Sequence, residues 1–376
     1  MVRKGYIKRV FPGGNTPQGF YSFYDQIITP NATRILVIKG GPGVGKSTFM
    51  RKIAEAMVDR GYDVELHHCS SDNGSLDGVV IPVIGVALID GTAPHVYDPR
   101  TPGAVDEIIH LGDYWDEAQI RKHKEEILEA NGNIARLFEH AYRFLRAAKA
   151  VYDDWEACNL KGMDFGKANK KAEQIIREIF GTRPASSIVG RARHLFASAI
   201  TPDGLMNYLD TIVGTCQMKY IIEGDPGTGK STLLYKVATA AIERGHDVEF
   251  YHCPLNPEKV EHVVIADLGV ALTKSIEPHT YTPAPEDTII DMNECLSPSI
   301  TTRFSSIMVE DREIFERLFN RAIRFIGEAK TEHDRMESFY TPAMDFDGIT
   351  ELREQILARI LRYAAEVSPA SSAAGD

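Results

Sequence analysis

Cysteine, long apolar runs and clustered positive charge are scarce in this 376-residue chain, and each scarcity excludes a class of protein. The five cysteines, Cys69, Cys158, Cys216, Cys253 and Cys295, are an odd number with no CxxC pair, which argues for reduced thiols and against a disulfide framework. The longest apolar stretch, around 78 to 89, is too short to span a bilayer, and MVRKGYIKRVFPGG at the start lacks the apolar core of a secretory leader. No Lys/Arg block stands out against a net charge of −11, which disfavours general nucleic-acid binding. Together these absences predict a cytoplasmic protein with no membrane partner. The segment SPASSAAGD, from about 368, is expected to be disordered.

Glycine, by contrast, is concentrated in two places. The pattern GxxxxGK[ST] occurs as Gly40, Gly41, Pro42, Gly43, Val44, Gly45, Lys46, Ser47, Thr48 and again as Gly224, Asp225, Pro226, Gly227, Thr228, Gly229, Lys230, Ser231, Thr232. Residues without a Cβ let backbone N–H groups wrap a phosphate that also faces the positive end of the following helix. In such a loop Lys46 and Lys230 reach the β- and γ-phosphates, and the Ser47 and Ser231 hydroxyls ligate Mg²⁺. The context agrees in both copies. RILVI (34 to 38) and KYII (219 to 222) read as buried strands upstream, while Phe49, Ile53, Ala56 and Met57 recur at helical spacing downstream, before Gly61. Leu233, Val237, Ala240 and Gly245 repeat that arrangement. Lys39 stands seven residues before Lys46, the wrong spacing for the signature-lysine loop of partition ATPases, and reads as a strand-end charge.

The two loops belong to a longer duplication. Lys230 lies 184 residues after Lys46, and the same offset pairs Asp63-Val64-Glu65 with Asp247-Val248-Glu249, His68-Cys69 with His252-Cys253, and Gly85-Val86-Ala87-Leu88 with Gly269-Val270-Ala271-Leu272. Beyond a three-residue deletion the offset is 181, pairing Leu137-Phe138 with Leu318-Phe319 and Met163-Asp164-Phe165 with Met344-Asp345-Phe346. The lead-in repeats at 185, with Phe11 matching Phe196 and Thr16-Pro17 matching Thr201-Pro202. This predicts two P-loop NTPase domains, residues 1–185 and 186–376, forming an intramolecular pseudo-dimer. Each is expected to be an α/β domain with a mostly parallel sheet flanked by helices and a helical C-terminal extension. In the first half the elements read as strand 34 to 38, helix 46 to 60, strands 63 to 68 and 84 to 90, a strand near 107 to 111, and long helices from about 115 and after Asp164. Those helices read as a core-covering pair, with a mobile lid as the sharper alternative.

An enzyme of this kind needs a carboxylate at a strand end to hold the magnesium shell. Asp90, closing the apolar VALID run, fits that role, with a turn aspartate before Gly91 as the alternative. Its counterpart is Lys274, so unequal sites are expected, the first the more active and the second binding nucleotide but turning it over slowly. Asp267, Asp291 and Glu294 are the nearest substitute acids in that half. Asp113 and Glu294, matched at 181 just past a strand end, are candidates for orienting the attacking water or else surface acids. The His68-Cys69 and His252-Cys253 pairs, with His95 and His279, lack zinc spacing and read as packing, and His95 with Pro94 as loop-shaping residues. Arg100 and Arg193 are arginines that could act across a domain interface, or ordinary surface residues.

With its two loops, VALIDGTAPH at 86 to 95 and FPGGNTPQGF at 11 to 20, the chain resembles, over nearly its whole length, an uncharacterised bacterial family of tandem P-loop ATPases with two Walker A loops per chain. The resemblance implies a nucleotide-binding protein; only the loop residues carry over from it. The leading expectation is Mg²⁺-dependent ATP hydrolysis driving a conformational switch, involving a protein or small-molecule partner that the sequence does not name. A small-molecule kinase and a non-catalytic nucleotide sensor or scaffold are the alternatives. No NKxD guanine motif follows the relevant strands, which leans the base preference towards adenine.

Overall fold

The computed structural model describes residues 3–93, 96–276 and 280–367. The first repeat runs β1 (Ile7–Val10), β2 (Gly13–Thr16), β3 (Gly19–Ser22), β4 (Arg34–Lys39), α1 (Lys46–Val58), β5 (Val64–His68), β6 (Leu76–Ile81), β7 (Val86–Asp90), β8 (Asp106–His110), α2 (Glu117–Ile120), α3 (Lys124–Leu160) and α4 (Phe165–Phe180). The second runs β9 (Ala192–Leu195), β10 (Ser198–Thr201), β11 (Gly204–Asn207), α5 (Leu209–Val213), β12 (Met218–Glu223), α6 (Lys230–Glu243), β13 (Val248–Cys253), β14 (Asn256–Ile265), β15 (Val270–Lys274), β16 (Thr288–Asp291), α7 (Pro298–Tyr340) and α8 (Phe346–Val367). No helix among the described residues is long and apolar enough to cross a membrane.

Each repeat builds a six-stranded sheet of the same order, β1-β5-β6-β7-β4-β8 and β9-β13-β14-β15-β12-β16. Both sheets are mixed, mostly parallel as expected above but with one antiparallel strand in each. β6 runs antiparallel to β5 and β7, and β14 antiparallel to β13 and β15, while the remaining pairs are parallel. The reason is chain length: only residues 69 to 75 join β5 to β6, too few for the crossover that a parallel neighbour requires.

The compact units do not follow the repeat boundary. Of the described residues, one unit takes those in 1–12, 22–138 and 327–376, and the other those in 13–21 and 139–326, so each sheet is packed by the helical tail of the opposite repeat. In the first unit α8 places Ile349, Ile356, Ile360 and Ala364 on one helical face, buried in a core with Phe49, Met50, Ile53 and Met57 of α1. Each isoleucine so buried contributes about 1.5–3 kcal/mol of apolar transfer. Arg359 of α8 also makes two hydrogen bonds to the Glu107 carboxylate on β8, at 2.9 and 2.5 Å. In the second unit Ala172, Ile175 and Phe180 of α4 join Leu233, Val237 and Ala241 of α6. The tails are core-covering helices, as the apolar spacing suggests, but on the other repeat's sheet.

The repeated Met-Asp-Phe motif fixes where these helices start. Asp164 accepts a hydrogen bond from the Lys167 N–H, and Asp345 one from the Gly348 N–H, both at 3.0 Å, satisfying orphan donors of the first helical turn. The backbone N–H of Asp164 donates to the Cys295 carbonyl, and that of Asp345 to the Tyr114 carbonyl, both at 2.8 Å, pinning each tail beside the last strand of the opposite repeat's sheet.

Candidate functional site

The first glycine loop leaves β4 and enters α1 at Lys46. Gly45, the helix N-cap, has φ +88°, which a residue with a Cβ adopts only under strain, so the chain turns sharply and presents the free N–H groups of a 13-residue helix to the loop. The Lys46 amine donates to the carbonyls of Gly40 (3.1 Å) and Gly41 (2.8 Å) and lies 3.6 Å from Asp90 Oδ2. β7 pairs with β4 in parallel, with Ile38 opposite Asp90, so the apolar VALID run delivers the acid to the root of the loop. Asp90 Oδ1 accepts from the Thr92 N–H at 2.9 Å, and the Thr92 hydroxyl donates to the Gly40 carbonyl at 3.0 Å. Ser47 Oγ accepts from the Leu76 N–H of β6 at 3.0 Å.

Helix α7 lies against this loop. The Gly43 N–H donates to Glu337 Oε1 at 3.2 Å, and a Cβ on Gly43 would stand 2.9 Å from the Thr341 hydroxyl and 3.1 Å from Glu337 Cβ. The Tyr340 ring would meet a Cβ on Gly41 at 3.0 Å. Glycine here serves close approach as well as turning.

The second loop repeats the plan. Gly229 caps α6 with φ +81°, and the Lys230 amine donates to the carbonyls of Gly224 and Asp225, the latter at 2.6 Å. The Thr228 hydroxyl donates to the Asp225 carbonyl at 2.8 Å, and Ser231 Oγ donates to the Val260 carbonyl of β14 at 3.0 Å. Asn159 Nδ2 donates to the Pro226 carbonyl at 2.8 Å, and a Cβ on Gly227 would fall 2.3 Å from the Glu156 carbonyl. Glu156 and Glu337 are the same position of the repeat, 181 residues apart, each set over the fourth residue of the loop in the opposite repeat, Gly227 and Gly43. Glu156 is paired with Lys259.

At the strand end the two loops diverge. Lys274 pairs with Ile222 just as Asp90 pairs with Ile38, so the offset of 184 is a true structural equivalence. Lys230 and Lys274 are both buried. Burial, then the neighbouring Lys274 charge, pushes the Lys230 amine down to about 7, partly countered by Asp225, Glu156 and Glu261.

Two acids escaped the sequence reading. Asp77 on β6 and Glu261 on β14 are buried, stand 184 residues apart, and follow directly on Leu76 and Val260, the strand residues that bond the loop serines. Burial first, then the charge of Asp77 and, last, that of Asp90 hold the Tyr24 hydroxyl protonated, while burial and Glu261 raise the Cys253 thiol. The 184-residue match of two acids was the available signal.

Other expected residues stand elsewhere. Leu111 and Gly112 lie against Gly40, but the next residue, Asp113, is exposed, with Oδ1 2.8 Å from His110 Nδ1. Glu294 is likewise exposed and pairs with Lys171 at 2.7 Å. Arg193 pairs with Glu249 at 3.3 Å, and Arg100 lies over the Tyr97 ring. Lys39 is more than a strand-end charge, since its amine donates to the Gly91 and Tyr97 carbonyls at 2.7 and 3.0 Å. Thr48 and Thr232 occupy the first turns of α1 and α6. Pro94, His95 and His279 fall outside the described residues, as does the tail from 368. The His-Cys pairs form no metal-type cluster; among the described residues the one group of three such side chains is His333, Asp334 and Glu337 on α7. Cys69, like Cys253, is pushed up by burial, which opposes thiolate ligation.

No family model, no curated protein and no solved structure matches the chain. Its relationships therefore rest on its own duplication, two similar α/β units with mixed six-stranded sheets.

Proposed function

We propose that the chain binds ATP at both glycine loops and hydrolyses it with Mg²⁺, faster at the first loop, to drive a conformational switch. The observation that carries this reading is the meeting of Lys46 and Asp90, 3.6 Å apart, at the root of a glycine loop that opens a helix. The residues fit the group. Backbone N–H groups at the α1 terminus suit a phosphate, the Lys46 amine suits its outer oxygens, and the Ser47 hydroxyl with the Asp90 carboxylate suits a hard cation that prefers oxygen. ATP with Mg²⁺ would supply the phosphoanhydride bond and the charge that neutralises it. In the second loop Gly224 to Thr232 offer the same backbone and Lys230 the same amine, but Lys274 removes the acid, which favours binding over turnover there.

Phosphate release with ATP and Mg²⁺ tests the reading, alone and with a panel of small acceptors. Lys46→Ala is expected to remove most turnover and Lys230→Ala much less. Full binding and turnover in both variants would sink the site assignment. Loss of turnover confined to Lys230→Ala would reverse the ranking, and release that required an acceptor would favour a small-molecule kinase.

A further inference from the structure

The two loops differ by two unit charges at one register position. Opposite Ile38 stands the Asp90 carboxylate; opposite Ile222 stands the Lys274 ammonium. Three flanking charges recur, with Lys46 answered by Lys230, Asp77 by Glu261 and Glu337 by Glu156, while Asp225 replaces Gly41 and Glu223 replaces Lys39. A carboxylate holding a divalent cation carries a net charge of about +1, and so does a lysine at neutral pH. Lys274 is only 8% exposed, and among the described residues its amine has no hydrogen bond or ion pair. It is close enough to Lys230 for the two charges to oppose each other. Two cationic side chains beside a ring of backbone N–H donors repel each other, offset in part by Asp225, Glu156 and Glu261, and a bound anion would relieve the rest.

We propose that the second loop binds its nucleotide as the metal-free polyphosphate, the Lys274 ammonium supplying the charge that a carboxylate-held magnesium supplies at the first. The inference rests on the nucleotide reading above and adds to it the ionic form of the ligand. It gives the second loop a holding role, because a nucleotide bound without metal lacks the charge that activates phosphoryl transfer.

Calorimetric titration of the full-length chain with ATP, in MgCl₂ and in EDTA, separates the two ideas. Lys46→Ala leaves the second loop to report, and Lys230→Ala the first. The expected result is that Kd of Lys46→Ala tightens in EDTA, because excess magnesium no longer sequesters free ATP, while that of Lys230→Ala weakens by about tenfold or more. Lys274→Met, which keeps an unbranched apolar stem but removes the charge, should lose EDTA-resistant binding; if that variant fails to fold, the first comparison still decides. Binding at both loops in MgCl₂ with equal loss in EDTA would overturn the charge substitution and leave the nucleotide reading standing. Absence of binding by the wild-type chain in either buffer would overturn both.

Discussion

Glu337 sits on the backbone of the first repeat's loop, its Oε1 accepting the Gly43 N–H at 3.2 Å, although the two residues are 294 apart in sequence. A carboxylate in that place competes with phosphate for the same donor. Charge-assisted bonds of this kind are worth about 1.5–3 kcal/mol. Glu337→Gln is therefore expected to tighten ATP binding at the first loop by about tenfold, read by titration of a Lys230→Ala chain to isolate that loop. Unchanged affinity would mean that the carboxylate does not compete.

The exchanged tails make a stability prediction. Ile360, fully buried, belongs to the second repeat but fills the core beneath α1 of the first. Ile360→Ala should cost about 2–5 kcal/mol, seen as a lower urea midpoint. Residues 1–185 expressed alone lack α8, and are expected to show no cooperative unfolding transition. A folded, cooperative 1–185 fragment would contradict the exchange.

The loops, the duplication and the Asp90–Lys274 asymmetry were legible in the sequence because each depends on local spacing or on one constant offset. Which sheet a tail covers was not. Leu137-Phe138 matches Leu318-Phe319 at 181 whether the helices pack at home or on the other repeat, since an offset records equivalence and not contact. Glu156 and Glu337 were hidden for the same reason. β6 was missed because Asp77 and Gly78 interrupt its apolar run, yet the short link from His68 to Leu76 already forbade a parallel neighbour. Asp113, the matched acid past a strand end, is exposed beside His110.

Asp90 gives the sharpest catalytic prediction. Asp90→Asn keeps the size of the side chain and the acceptor for the Thr92 N–H but removes the charge 3.6 Å from Lys46. Turnover is expected to fall on the order of 10²-fold, with ATP affinity in EDTA unchanged or improved. Retained turnover would return Asp90 to the role of a turn aspartate.

The Lys230 amine, lowered to about 7 by burial and then by Lys274, makes the second loop sensitive to pH. Only the ammonium form offers a phosphate a positive charge, so ATP binding by the Lys46→Ala chain should weaken as pH rises from about 7 to 9, by up to about tenfold per unit. Without nucleotide the sign is opposite for stability. Between about 7 and the ordinary lysine value of 10.5 the folded chain binds fewer protons than the unfolded one, so stability rises with pH across that window. The rise should be absent in Lys230→Met, compared by denaturant titration at pH 7 and pH 9.

The count of ATP molecules held per chain tests the central claim most directly. Equilibrium dialysis with labelled ATP and Mg²⁺ should give two per wild-type chain, one for Lys46→Ala, one for Lys230→Ala and none for the double variant. Two bound nucleotides in the double variant, or none in the wild type, would contradict it.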